Sequence, residues 1–162
     1  MKGMTRRREA IGLVVCIFVV IAVAAVGSPF TRHATRTWYH QIERPSWTPP
    51  DWVFGPVWTV LYVMMAVAAW LVWREGGFRA QRLGLGLFIA QLVLNAAWTP
   101  IFFGLKAFGL AFAEIILLWC AILSTILVFR RVQRAAAGLM TPYLAWVSYA
   151  STLNFGIWWL NR

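Results

Sequence analysis

Residues 51–74 read DWVFGPVWTVLYVMMAVAAWLVWR, an uncharged run between Asp51 and Arg74. A helix rises ~1.5 Å per residue, so about 20 apolar residues cross the ~30 Å hydrocarbon core of a bilayer. Residues 52–73 meet that length, and the pattern recurs in both directions. Residues 10–31, 83–105 and 135–161 carry no charge, and 107–129 carry only Glu114. Inside lipid every backbone polar group needs an internal partner, which leaves helices and closed barrels. The runs are continuous rather than alternating, which excludes a barrel. The fold class expected is an all-α integral membrane protein, a five-transmembrane-helix bundle with spans near 10–28, 51–73, 82–103, 106–129 and 139–160. Residues 1–9 read as a basic tail and 10–162 as one membrane domain.

Composition agrees. Of 162 residues, 61% are apolar and 12% charged, and mean hydropathy is +0.69. A soluble domain this small could not cover itself with polar surface. The net charge of +10 would suggest nucleic acid in a soluble chain, but here it reads as a topology signal, and no nucleic-acid partner is expected. Lys2, Arg6, Arg7, Arg8, Arg74, Arg79, Arg82, Arg130, Arg131 and Arg134 fall on one side, and Arg32, Arg36, Arg44, Lys106 and Arg162 on the other. The positive-inside rule then puts the N-terminus in the cytoplasm and the C-terminus outside, in a bacterial cell membrane. The first apolar run exceeds a signal-peptide core, so it is expected to remain as a helix. Cys16 and Cys120 provide no disulfide framework.

The connections are unequal. Gly104 marks a tight turn that makes the third and fourth spans antiparallel neighbours. Residues 29–50 form the exception, a long loop with Pro29, Pro45, Pro49, Pro50, Trp38, Tyr39 and Trp47. Proline restricts the unfolded loop and aromatic rings need a surface to rest on, so this segment reads as a packed lid.

Tryptophan is abundant, at 11 residues. Trp52, Trp70, Trp73, Trp158 and Trp159 suit an interfacial belt. Trp58, Trp98 and Trp146 lie too deep for one and are expected to face protein or ligand. The third span places Gln91, Asn95, Trp98 and Phe102 on one helical face; the fifth does so with Tyr143, Trp146, Ala150 and Asn154. The second carries Phe54, Trp58, Leu61, Tyr62 and Met65. Asn95, Glu114 and Asn154 share a depth of ~12 Å below the outer surface. Polar groups there face a cavity or hydrogen-bond between helices, and a neutral bonded carboxyl is the plain alternative for Glu114. A cavity beneath the long loop is the reading preferred. Gly86, Ala90, Val93 and Ala97 form an opposite small-residue stripe suited to close helix contact, either within the chain or, the reading preferred, across a homodimer.

Conventional catalysis finds no support. Gly84-Leu85-Gly86 lacks the third glycine of a dinucleotide loop. His33 and His40, the two histidines, have no cysteine or paired carboxylate for a metal and no nucleophile for a triad.

Three stretches are more specific. Trp38-Tyr39, Pro45-Ser46-Trp47-Thr48-Pro49-Pro50 and Trp52 through Tyr62 form the first. Gln91-Leu92, Leu94-Asn95 and Trp98 to Gly104 form the second. Pro142-Tyr143-Leu144-Ala145-Trp146, Ala150 and Leu153-Asn154 form the third. In this order they resemble the TspO/translocator protein family, the tryptophan-rich sensory proteins and peripheral-type benzodiazepine receptors. The resemblance runs from about Trp38 to Trp159 and implies five spans with a pocket under the first long loop. It implies a porphyrin ligand (protoporphyrin IX or haem), with no cofactor required, and benzodiazepine-type drugs as further ligands. On it, Tyr39, Trp47, Asn95, Trp98, Ala150 and Asn154 match pocket positions, joined by Phe54, Trp58, Tyr62, Gln91 and Trp146 from the stripes above. Trp58 and Trp146 look like the tryptophans with which some members degrade protoporphyrin IX in light, the catalytic alternative. Sterol recognition is doubtful, because Phe155 stands where the sterol motif has tyrosine and Arg162 lies beyond its basic position. Three function classes follow: tetrapyrrole binding or transport, ranked first; a light-dependent porphyrin-degrading enzyme; and a ligand-sensing regulatory partner in tetrapyrrole or stress signalling.

Overall fold

The computed structural model describes residues 5–162 and is helical throughout, with no strand among them. Six helices follow in order: α1 Arg6–Thr37, α2 Phe54–Arg74, the single turn α3 Gly77–Ala80, α4 Arg82–Thr99, α5 Phe108–Val132 and α6 Arg134–Leu160. A 3₁₀ turn, Asp51–Val53, leads into α2, and a π turn, Pro100–Gly104, extends α4. Four segments are long and apolar enough to cross a membrane: Arg6–Thr37, Asp51–Arg74, Arg82–Gly104 and Phe108–Val132. α6, at 27 residues, is as long as these but diluted by Thr141, Ser148, Ser151, Thr152 and Asn154. Lys2, in the basic tail, lies outside the described residues.

The first boundary differs most from expectation. The helix expected to stop at residue 28 continues to Thr37, with Pro29 inside it. Proline removes one backbone donor and leaves the Ala25 carbonyl without its helical partner, while hydroxyls on either side bond neighbouring carbonyls of the same stretch. Ser28 Oγ donates to the Ala24 carbonyl at 2.9 Å and Thr31 Oγ1 to that of Gly27 at 3.3 Å. Arg36 in the last turn favours the negative end of the helix dipole. The connection to α2 therefore shrinks to residues 38–50. The other large change is at α6, which begins at Arg134 rather than 139. Ala135-Ala136-Ala137 are the strongest helix formers, so only Gln133, in extended conformation, separates α5 from α6.

α1 packs on α2 and α4, α2 on α6, and α5 on both α4 and α6. Small residues set the distances. Gly84 lies against Val128 and Phe129, and Gly109 against the Trp158 indole. Phe88 stacks on Phe129 from the opposite end of α5, so α4 and α5 run antiparallel. The core between them is closed by Met65, Val72, Ile122, Phe129, Met140, Tyr143 and Val147, all essentially without exposure.

Candidate functional site

The expected site residues fall into two groups, one after the other along α4. The first lies between α2, α4 and α6. Trp58 packs on Tyr62 at 5.3 Å between ring centroids and edge-on to Tyr143 at 6.1 Å; Phe54 meets Trp146 edge-on at 5.7 Å. Asn95 is the hub of this group. The Tyr62 hydroxyl donates to Asn95 Oδ1 at 2.9 Å, and Asn95 Nδ2 donates to the Tyr143 hydroxyl oxygen at 3.0 Å. One asparagine thus ties three helices together, as expected where lipid offers no competing partner. Ala150 is half-buried against the same core.

The second group sits at the end of the bundle where residues 38–50 cross it. Trp98 stacks on Phe102 at 4.8 Å and meets Phe103 edge-on. Its indole N–H donates to Asn154 Oδ1 at 3.0 Å, and Asn154 Nδ2 donates to the Phe108 carbonyl at 2.9 Å. Tyr39 is buried against Phe103, with the Arg44 guanidinium over its ring at 5.2 Å. Burial pushes the Tyr39 hydroxyl above its ordinary pKa, and the nearby Arg44 charge pulls it partly back.

Asn95 and Asn154 therefore do not join Glu114 in one cavity. Each asparagine has a protein partner at both its amide oxygen and its amide nitrogen, in a separate node. This is the interhelical alternative, realised because α4 presents the two polar contacts a turn apart and to different neighbours. Glu114 is buried in α5, and neither carboxyl oxygen has a hydrogen-bond partner.

The same is true of two residues in the first group. The Gln91 side chain is wholly buried with both its amide atoms unpartnered, and the Trp146 indole N–H is buried without an acceptor. A buried polar group without a partner costs about 1–3 kcal/mol. Gln91 stands one turn before Asn95 on α4 and Trp146 one turn after Tyr143 on α6, so the two flank the Asn95 hub, and each would gain from an added partner. Residues flagged by the sequence were read for type and face; whether each was satisfied was not legible, and Tyr143, the acceptor that completes the Asn95 hub, was read only as part of a stripe.

Residues 38–50 are fastened to α6. The Tyr149 hydroxyl donates to the Trp47 carbonyl at 2.6 Å. Asn161 accepts from the Glu43 N–H at 3.1 Å and donates to its carbonyl at 2.9 Å. Pro45 is buried against Gly156, where any Cβ would strike its ring. The Trp47 side chain itself is 54% exposed, so its carbonyl rather than its indole makes the attachment. Beside this segment is an open cavity of about 580 Å³ edged by His40, Arg44 and Asp51. His40 Nε2 lies 3.0 Å from Asp51. No cluster of metal-ligating side chains occurs among the described residues.

The small-residue stripe of α4 faces outward: Ala90 and Val93 are exposed, and a Cβ on Gly86 would meet nothing within 4 Å.

Comparison with known proteins places this arrangement. The profile of the TspO/MBR family matches residues 15–160. Tryptophan-rich protein TspO of Chlorobaculum tepidum is 42% identical over 155 residues, covering 95% of this chain and 98% of the relative. The human translocator protein is 44% identical over 135 residues, 82% of this chain and 80% of the relative. The tryptophan-rich sensory protein of Cereibacter sphaeroides is 38% identical over 143 residues, 86% and 88% of the two chains.

Proposed function

The chain belongs to the TspO/MBR family, and on that premise we propose that this multi-pass membrane protein binds a porphyrin-type tetrapyrrole between α2, α4 and α6. In this reading α6 is the fifth span, residues 38–50 are the lid, and the N-terminal end of α1 is cytoplasmic in a bacterial cell membrane. The exposed stripe of Gly86, Ala90, Val93 and Ala97 would serve a second copy. The names of the relatives, translocator and sensory protein, fit a molecule whose work is to hold and hand over or report a ligand.

The observation that carries the proposal is a pair of buried polar groups without partners, the Trp146 indole N–H and the Gln91 amide, on the two helices that the Asn95–Tyr143 hydrogen bond joins. A tetrapyrrole supplies what these lack. Its ring stacks on Phe54, Trp58 and Trp146, and its polar atoms offer acceptors and donors at the edge. Gain from pairing two otherwise orphaned groups adds to the apolar area covered. Benzodiazepine-type drugs offer the same combination of flat rings and carbonyl acceptors.

Titration of purified protein with protoporphyrin IX in the dark tests it. Tryptophan emission should fall saturably at micromolar ligand, and Trp146→Phe should weaken the apparent affinity. Emission that falls linearly, or an unchanged affinity in both Trp146→Phe and Gln91→Leu, would remove the proposal.

A further inference from the structure

A second concave surface lies outside the proposed tetrapyrrole site, where α1 passes the π turn. It encloses about 410 Å³, with walls of Pro29, Phe30, Trp38 and Phe103 and with His33 and Lys106 as its charged or ionisable members. No acid lines it. Gly104 forms the floor, and a Cβ there would approach the Phe30 ring to 3.0 Å, so the close contact of α1 with the turn depends on that glycine.

Lys106 is held there by the fold. Its φ of 54° lies in the left-handed region that a side chain seldom adopts. The backbone on both sides fixes that conformation: the Leu105 N–H donates to the Pro100 carbonyl at 2.9 Å and the Ala107 N–H to that of Ile101 at 3.2 Å. Strained residues of this kind persist where their surroundings over-determine them, and they cluster at ligand sites. The Lys106 ammonium sits 4.8 Å from the centre of the Trp38 ring, which keeps it at the mouth of the groove. Arg32 and Arg36 lie on the same end of α1, and none of these three cations has an acidic partner among the described residues.

The groove is open along α1, where Phe30 on its wall is 39% exposed. Of the apolar window of α1, 11% is buried within the chain, against 33% for each of the other three membrane-crossing segments. Exposed Val26, one turn before Phe30 on the same face of α1, continues the apolar wall away from Lys106. A cationic mouth at the end of a helix and an apolar wall running along it match one amphiphile. We propose that this groove binds an anionic phospholipid. The phosphate accepts from Lys106 Nζ and His33, and the acyl chain lies along Phe30 and Val26. Charge complementarity selects the headgroup, because a zwitterionic lipid brings its own cation to a mouth that already holds Lys106, with Arg32 and Arg36 on the same end of α1.

Native mass spectrometry of the full chain, released from micelles holding equal phosphatidylglycerol and phosphatidylcholine of identical acyl chains, tests this. Phosphatidylglycerol adducts should exceed phosphatidylcholine adducts by about fivefold, roughly what one lysine contributes near an anionic surface. Lys106→Asn should bring the ratio near parity, and asparagine tolerates the left-handed backbone, so the turn is kept. His33→Gln is the second variant and should lower the ratio without touching the turn. Arg131→Gln, at the far end of α5, should leave it unchanged. Equal adducts in the unaltered protein would overturn the proposal, as would a ratio insensitive to both variants or equally sensitive to Arg131→Gln. Displacement of the lipid by one equivalent of protoporphyrin IX would assign the groove to the tetrapyrrole instead.

Discussion

Trp98 and Trp146 are both half-buried tryptophans, on α4 and α6, yet the chain treats their indole N–H groups oppositely. Trp98 donates to Asn154, which is itself anchored on the Phe108 carbonyl. Trp146 also packs on two rings, Phe54 and Tyr149, but its N–H has no acceptor. The difference separates a joint from a site. A donor satisfied within the chain contributes to holding helices together; a buried donor left over contributes nothing to the fold and lowers its stability until something else accepts from it. Applied to the whole interior, the same test groups Asn95, Asn154, Tyr62 and Tyr143 with the framework and leaves Gln91, Trp146 and, apart from them on α5, Glu114 as groups the fold does not satisfy.

The hardest test of that division is at its strongest joint. Asn95→Leu should cost about 2–3 kcal/mol, because two tyrosine hydroxyls lose their partner and that of Tyr143 lies where water does not reach. Thermal unfolding in a fixed detergent measures it. A loss below about 0.5 kcal/mol would mean that Asn95 is not a structural hub.

Next come the two tryptophans themselves. Trp98→Phe and Trp146→Phe delete the same atoms, so the loss of packing largely cancels in the comparison. Trp98→Phe leaves Asn154 Oδ1 without its donor and should cost about 1–2 kcal/mol of stability, with porphyrin affinity little changed. Trp146→Phe should do the reverse: a smaller stability loss, and an affinity several-fold weaker, about 1 kcal/mol, because the hydrogen bond exists only with ligand bound. If the two variants lose stability equally and affinity equally, satisfaction within the chain does not distinguish joint from site.

How much of this could be read from the sequence depends on what is periodic. Uncharged windows are long and the helical period is regular, so the helix ends lie within a few residues of the expected bounds wherever nothing contests them. The expected bounds fail at Pro29 and at Ala135-Ala136-Ala137. In the first, hydroxyls one residue before and two residues after the proline take up carbonyl groups; in the second, alanines continue a helix through a basic stretch that looked like a loop. The aromatic and amide residues of the site were legible because they recur every three or four positions. Their division into two nodes was not, since it depends on which neighbour each side chain reaches across a helix interface. The fastening of residues 38–50 was equally hidden. Tyr149 and Asn161 are unremarkable on α6 and at its end until the chain folds back over them.

That fastening gives the smallest effect and the one closest to function. Tyr149→Phe removes a single bond, from a phenol to the Trp47 carbonyl at 2.6 Å, and leaves the ring in place. A bond of this kind contributes about 0.5–1.5 kcal/mol, too little to move global unfolding in a helical bundle of this size by a decisive amount. Local opening is the sensitive readout, because a segment that opens apart from the rest is cleaved in proportion to its open fraction. Chymotrypsin should cut after the exposed Trp47 about fivefold faster in Tyr149→Phe, while cuts within the helices stay unchanged. Asn161→Ala, which frees Glu43 at the other end of the segment, should give a similar increase, and the two together should multiply if the segment opens as a unit. If neither variant changes the rate, the attachment lies in the packing of Pro45 on Gly156. Gly156→Ala, whose methyl group cannot coexist with that ring in its present place, would then be the substitution that lifts residues 38–50 off the bundle.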